Sequence, residues 1–144
     1  MKSIIIFGGS GYVGKNIIRS FAKKGYKIIV PYQRQIDEAN LRLFGSVGQI
    51  VPFHFTSLNN SKLLSILNNA DICINLKTTW DSKEGNLKKS IYTFNAELIE
   101  IIKKSTTLRK FIFFSNLKFL LSGKFHYQKI IELNIICLLQ DLSP

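Results

Sequence analysis

The residues best suited to chemistry lie near the N-terminus, in Phe7-Gly8-Gly9-Ser10-Gly11-Tyr12-Val13-Gly14. Gly8, Gly11 and Gly14 are spaced G-x-x-G-x-x-G. A bare Cα at Gly8 allows a tight turn. At Gly11 it lets the backbone approach a diphosphate that any Cβ would meet, and at Gly14 it lets a following helix pack closely on the preceding strand. The N–H groups of about Gly11 to Val13 then face the phosphates, and the helix dipole favours their negative charge. Gly9, Ser10 and Tyr12 complete the cradle. Such a triplet carries weight only between a buried strand and an amphipathic helix.

That context is present. Ser3 to Phe7 is a short β-branched run, read as a buried strand. Val13, Ile17, Ile18 and Phe21 recur at helical spacing, and Gly25 ends the helix as its C′ residue. Tyr26 to Val30 reads as a second strand, stopped by Pro31. Further strands are expected at Ile50 to Phe55, Asp71 to Leu76 and Lys110 to Phe114. Pro52 suits an edge position in the first of these. Helices are expected at Asn60 to Asn68, Leu87 to Lys104 and Tyr127 to Leu139. Strands alternating with helices imply one α/β domain over residues 1–144, a doubly wound parallel sheet of the Rossmann type. The expected strand order is 3-2-1-4-5, with the ligand at the crevice beside strand 1.

Two other segments reach that crevice. An acidic residue ending strand 2 would bind the ribose 2′-hydroxyl of NAD. This chain instead has Tyr32-Gln33-Arg34-Gln35, and its first carboxylate, Asp37, comes too late in the loop. Arg34 suits a 2′-phosphate, so NADP(H) is expected over NAD(H), against the alternative of a solvated Arg34. Asn75, Leu76 and Lys77, ending strand 4, should line the cofactor; Lys77 either neutralises phosphate or points to solvent.

Composition narrows the remaining classes. The 144 residues are 46% hydrophobic, enough for a core. The net charge of +11 comes mostly from scattered lysines, 16 of the 20 basic residues. No basic run alternates with aromatics as a nucleic-acid groove would require, so solvated helix faces are the expected reading. Cys73 and Cys137 are 64 positions apart and flanked by apolar residues, which predicts buried, inert thiols. His54 and His126 have no carboxylate cluster in sequence, so no metal is expected. No secretory signal or transmembrane segment is read.

With these residues in view, the chain resembles the atypical, extended short-chain dehydrogenase/reductases of the NAD-dependent epimerase/dehydratase superfamily. The branch it is most similar to holds the NADPH-binding accessory subunit of respiratory complex I and its bacterial relatives. The resemblance spans about residues 3–115. It rests on the glycine motif, Val30-Pro31-Tyr32, Leu41-Arg42 with Gly45 and Gly48-Gln49-Ile50, Ala70-Asp71 with Ile74-Asn75-Leu76, then Asn95, and Lys110-Phe111-Ile112 with Ser115. In active relatives a Ser after strand 5 and a Tyr-x-x-x-Lys pair transfer protons, the Lys lowering the Tyr pKa. Ser115 and Tyr127 match those roles, but position 131 is Ile, and Lys129 falls on another helix face. Tyr92 is followed at 96 by Ala and does not restore the pair.

The resemblance implies a tightly held cofactor with a structural role, at the periphery of electron transfer. It also implies a C-terminal shortening: residues 116–144 match poorly, as a remnant of the catalytic and substrate part, and strand 5 needs a partner to cover its edge. Three functions stand open: a non-catalytic NADP(H)-holding accessory or assembly protein of complex I, an oxidoreductase or sugar-nucleotide epimerase/dehydratase using Ser115 and Tyr127, and a degenerate fragment without nucleotide. The expected partners are the dinucleotide and a respiratory-chain complex. The expected location is the cytoplasm or the inner face of a membrane.

Overall fold

The computed structural model describes residues 2–77 and 93–113. Five parallel strands, β1 (Ser3–Phe7), β2 (Lys27–Tyr32), β3 (Ile50–His54), β4 (Ile72–Asn75) and β5 (Lys110–Phe113), form one sheet in the order β3-β2-β1-β4-β5. Among the described residues four helices cover it: α1 (Tyr12–Lys23), α2 (Ile36–Arg42), α3 (Ser61–Leu67) and α4 (Phe94–Ile102). The doubly wound α/β class and the strand order agree with the expectation from sequence.

The pleat of β1 divides the core in two. Ile5 and Phe7 join Leu63 and Leu67 of α3 and Phe94, Leu98, Ile99 and Ile102 of α4 on one face. Ile4 and Ile6 join Ile18 of α1 and Leu41 of α2 on the other. Side chains alternate across a strand, so a run of four buried residues in β1 requires packing on both faces, as a central parallel strand provides. All five strands end at the same edge of the sheet, which gathers the exits of β1, β2 and β4 there.

Helix ends follow local chemistry. α1 closes in a Schellman motif: Gly25 N–H donates to the Ala22 carbonyl at 3.0 Å and Tyr26 N–H to the Phe21 carbonyl at 3.2 Å. Gly25 has φ +77°, and the Phe21 and Tyr26 rings meet edge to face at 5.3 Å. Asn60 caps α3 by accepting the Lys62 N–H at 2.9 Å. Gln49 ties the end of α1 to the start of β3, its amide donating to the carbonyls of Ala22 at 2.7 Å and Tyr26 at 3.1 Å.

Two expectations are corrected. Pro31 does not stop β2, which runs on to Tyr32 with Pro31 opposite Phe53. Lys27 N–H turns toward β1 and Ile28 N–H toward β3, so by alternation the Pro31 nitrogen faces β1. The last β1–β2 pair is Ile5 with Ile29, so the ladder has ended before the missing donor would be needed. Asp37, read as lying in a loop, belongs to α2. Pro52 does lie in the edge strand, opposite Val30. The expected strand at 71–76 shortens to Ile72–Asn75, and that at 110–114 is described as far as Phe113. The helix begun at Leu87 is described from Phe94, and the helix expected at Tyr127 to Leu139 lies outside the described residues.

Leu98 is fully buried between α4 and the sheet. Leu98→Ala should cost about 2–5 kcal/mol, read as a lowered urea midpoint with little change in the slope of the transition.

Candidate functional site

The glycine turn sits where β1 leaves the sheet and α1 begins, and its glycines answer different demands. Gly8 has φ +74°, and a Cβ on it would lie 2.9 Å from the Leu76 carbonyl carbon and 3.0 Å from the Lys77 nitrogen. A Cβ on Gly14 would lie 2.6 Å from the Gly8 oxygen and from the Cα and oxygen of Gly9. Gly14 therefore seats α1 against the backbone of the turn itself, rather than against the strand as expected. Gly9, not among the three spaced glycines, is equally constrained: its Cβ would meet Val30 Cγ1 at 2.6 Å.

Gly11 is different. Its backbone is extended, φ −71° and ψ 169°, which any residue adopts, and its Cβ would touch the Gly8 oxygen at an ordinary 3.4 Å. Nothing among the described residues needs glycine there. Gly11 is the N-cap of α1 and offers no side-chain cap, and the first turn holds no acidic residue. The opening N–H groups of α1 thus keep their partial positive charge, beside exposed Tyr12 and Val13. A bare Cα next to uncapped N–H groups suits a phosphate group brought close from outside. The turn therefore fits the diphosphate expected from sequence.

At the β4 exit, Asn75 is fully buried. Its amide donates to Asn95 Oδ1 of α4 at 2.6 Å, and its oxygen accepts the Lys77 N–H at 3.0 Å. The Asn75 side chain thus holds the backbone of residues 75–77 against the turn at Gly8. The Lys77 side chain lies beside two aromatic rings. Its ammonium lies over the Phe94 ring, 4.1 Å from the centroid, with the Phe55 ring at 5.9 Å. Partial burial there lowers the Lys77 pKa. Both rings pack edge to face on Phe7, which roots this aromatic group in β1.

At the β2 exit, two basic residues are already paired. Arg34 makes a fork with Asp37, Nη2 to Oδ1 at 3.2 Å and Nε to Oδ2 at 3.3 Å. Arg42 donates to Glu38 at 2.8 Å. The Tyr32 hydroxyl donates to Glu38 Oε2 at 2.6 Å, and its ring meets His54 edge to face. Glu38 is held below the usual carboxylate range by the Arg42 bond first and the Tyr32 bond second. Tyr32 is raised chiefly by its bond to that carboxylate. From the sequence Asp37 lies too late in a loop, and Glu38 gives no signal. They instead form the first turn of α2, which brings them back onto Arg34 and Tyr32.

Gly8 to Gly14, Asn75, Leu76 and Lys77 converge at the glycine turn, with Tyr32 and Arg34 at the neighbouring strand end. Ser115 and Tyr127 lie outside the described residues. Among the described residues no group of three potential metal ligands occurs, and no helix is long and apolar enough to cross a membrane.

Comparison with known proteins decides the family. Residues 4–117 match the NAD dependent epimerase/dehydratase family. The chain belongs to that family. Within reach of this epimerase/dehydratase chain by sequence is NADH dehydrogenase (ubiquinone) 1 alpha subcomplex subunit 9, mitochondrial. The Arabidopsis thaliana protein is 31% identical over 72 residues, 49% of this chain and 18% of its own length. The Rattus norvegicus protein is 23% identical over 114 residues, 78% of this chain and 30% of its own. The chain thus spans under a third of these relatives. Among solved structures, a short chain dehydrogenase from Bacillus anthracis superposes with a TM-score of 0.70 at 18% identity, over 85% of this chain and 60% of that one. The UDP-Glc/GlcNAc 4-epimerase of Campylobacter jejuni superposes at 0.64 and 18%, over 78% of this chain and 36% of that one. At such identities the likeness is one of fold.

Two outcomes follow for stability. Gly14→Ala forces a Cβ into backbone and should unfold or strongly destabilise the chain, whereas Gly11→Ala should shift stability by less than about 1 kcal/mol, both read by thermal melts. Glu38, with its lowered pKa, contributes stability above the ordinary carboxylate value that is lost as pH falls through the lowered one. Glu38→Gln should therefore flatten the acid limb of a stability–pH profile, and an unchanged limb would refute the pairing.

Proposed function

We propose that this chain binds a nicotinamide dinucleotide on the glycine turn, NADP(H) in preference to NAD(H), as a holding rather than a catalytic protein. The observation that carries the proposal is Gly11. Its missing side chain serves no need among the described residues, and its place beside the uncapped start of α1 supports close approach of a diphosphate. The N–H groups of Tyr12 and Val13, the first of α1, would hold the diphosphate, with Gly11 leaving room for its approach, and the backbone of residues 75–77, fixed through Asn75, would line the site. Arg34, three-quarters exposed, would take a 2′-phosphate. The group supplies hydride chemistry when bound. A holding role is supported by the missing lysine four residues after Tyr127, where Ile131 stands.

Family membership supports the dinucleotide, and a yeast methylglyoxal/isovaleraldehyde reductase complexed with NADPH shares the fold at a TM-score of 0.66 and 15% identity. Similarity to subunit 9 of NADH dehydrogenase supports association with a respiratory complex, and the proposed location is the cytoplasm or, peripherally, the inner face of a membrane.

Calorimetric titration of the full chain with NADP⁺ tests the site. The parent should bind one equivalent. Gly11→Ala should weaken binding about ten- to a hundredfold, from one or two displaced charge-assisted hydrogen bonds, with an unchanged melt. Equal affinities in parent and variant, or no binding by the parent, would contradict the proposal. NADPH turnover with carbonyl substrates that Tyr127→Phe abolishes would replace the holding role with a catalytic one.

A further inference from the structure

We infer that Asp37 is a specificity-determining residue that restrains discrimination for NADP over NAD, by keeping a carboxylate on the guanidinium that a 2′-phosphate would use. The inference rests on the dinucleotide reading proposed above and adds to it a residue that the strand-end pattern passes over.

The geometry of the pair defines what is available. A guanidinium has a side edge, Nε with one Nη, and a terminal edge, Nη1 with Nη2. Asp37 occupies the side edge through both of its oxygens, at 3.2 and 3.3 Å. Arg34 Nη1 donates to no group among the described residues, and the side chain is 75% exposed against 11% for Asp37. The terminal edge is therefore open to an incoming anion, while the carboxylate is anchored. That anchoring has two sources. Asp37 N–H donates to the Arg34 carbonyl at 2.9 Å, and Asp37 belongs to the first turn of α2.

A phosphate on the terminal edge gains the cation but meets the Asp37 charge across one planar group. A carboxylate and a phosphate dianion about 6 Å apart in a water-like dielectric repel by an amount worth about tenfold in affinity. NAD carries no phosphate at that position and avoids the repulsion. Discrimination by Arg34 is thus smaller than an unpaired arginine would give. Arg42, at the far end of α2, is paired with Glu38 by a single bond at 2.8 Å.

Asp37→Asn separates charge from tether, since an amide oxygen still accepts from the guanidinium. Affinities for NADP⁺ and NAD⁺ are measured by calorimetry on the full chain at low ionic strength, where the repulsion is least screened. NADP⁺ should bind about tenfold more tightly to Asp37→Asn than to the parent, with NAD⁺ changed by less than about twofold. Arg34→Gln, on the exposed partner, should bring NADP⁺ down to the affinity of NAD⁺ or below it, since the Asp37 charge remains. A NADP⁺ to NAD⁺ ratio within about twofold of the parent in Asp37→Asn would overturn the inference and leave dinucleotide binding intact. An equal loss of both cofactors in Arg34→Gln would overturn it too. A parent that binds neither cofactor ends both proposals.

Discussion

The arrangement depends on one close approach of main chain to main chain. α1 starts so near the end of β1 that a single methyl group on Gly14 would overlap the Gly8 and Gly9 backbone at 2.6 Å. Gly8, at φ +74°, bends the chain away from β1 and against residues 76 and 77 at the exit of β4. Gly9 lies against Val30 of β2. Three strands of the sheet therefore meet the same few backbone atoms. Little room is left for side chains at this point, and the first N–H groups of α1 are left facing outward. The site is a consequence of packing as much as of any charged residue.

Charged groups at the neighbouring strand end follow another logic. In a chain with 20 basic and 9 acidic residues, two of the acidic residues stand in the first turn of α2, paired with Arg34 and Arg42. Carboxylates at a helix N-terminus are favoured by the dipole, and Asp37 and Glu38 satisfy that preference while holding the two arginines. Structural support for α2 and anion recognition at Arg34 thus draw on the same residues. Such exposed pairs contribute modestly to stability, so their larger effect is on what the arginines can offer an incoming phosphate.

Much of the fold was legible because its signals are local and strong. The β1–turn–α1 unit announces itself through a β-branched run, a glycine triplet and a stripe at Val13, Ile17, Ile18 and Phe21. Gly25 marks its own Schellman turn. What escaped depends on contacts across the chain. α2 has no apolar stripe, since Ile36 is exposed and Leu41 is the hydrophobic residue it buries. Pro31 reads as a stop until the end of the β1 ladder is known. The constraint on Gly9 comes from Val30, and the resting place of Lys77 from rings at 55 and 94. Asn75 was picked out for its backbone, but its side chain matters through Asn95, twenty residues away.

The central claim is that main-chain N–H groups at the start of α1 receive the cofactor's diphosphate. Backbone amide NMR of the ¹⁵N-labelled full chain, titrated with NADP⁺, tests it residue by residue. Saturable shifts should be greatest at Ser10, Gly11, Tyr12 and Val13, with smaller ones at Arg34 and at residues 75–77. Saturation that leaves the amides of residues 10–13 unmoved, with shifts elsewhere, would contradict it.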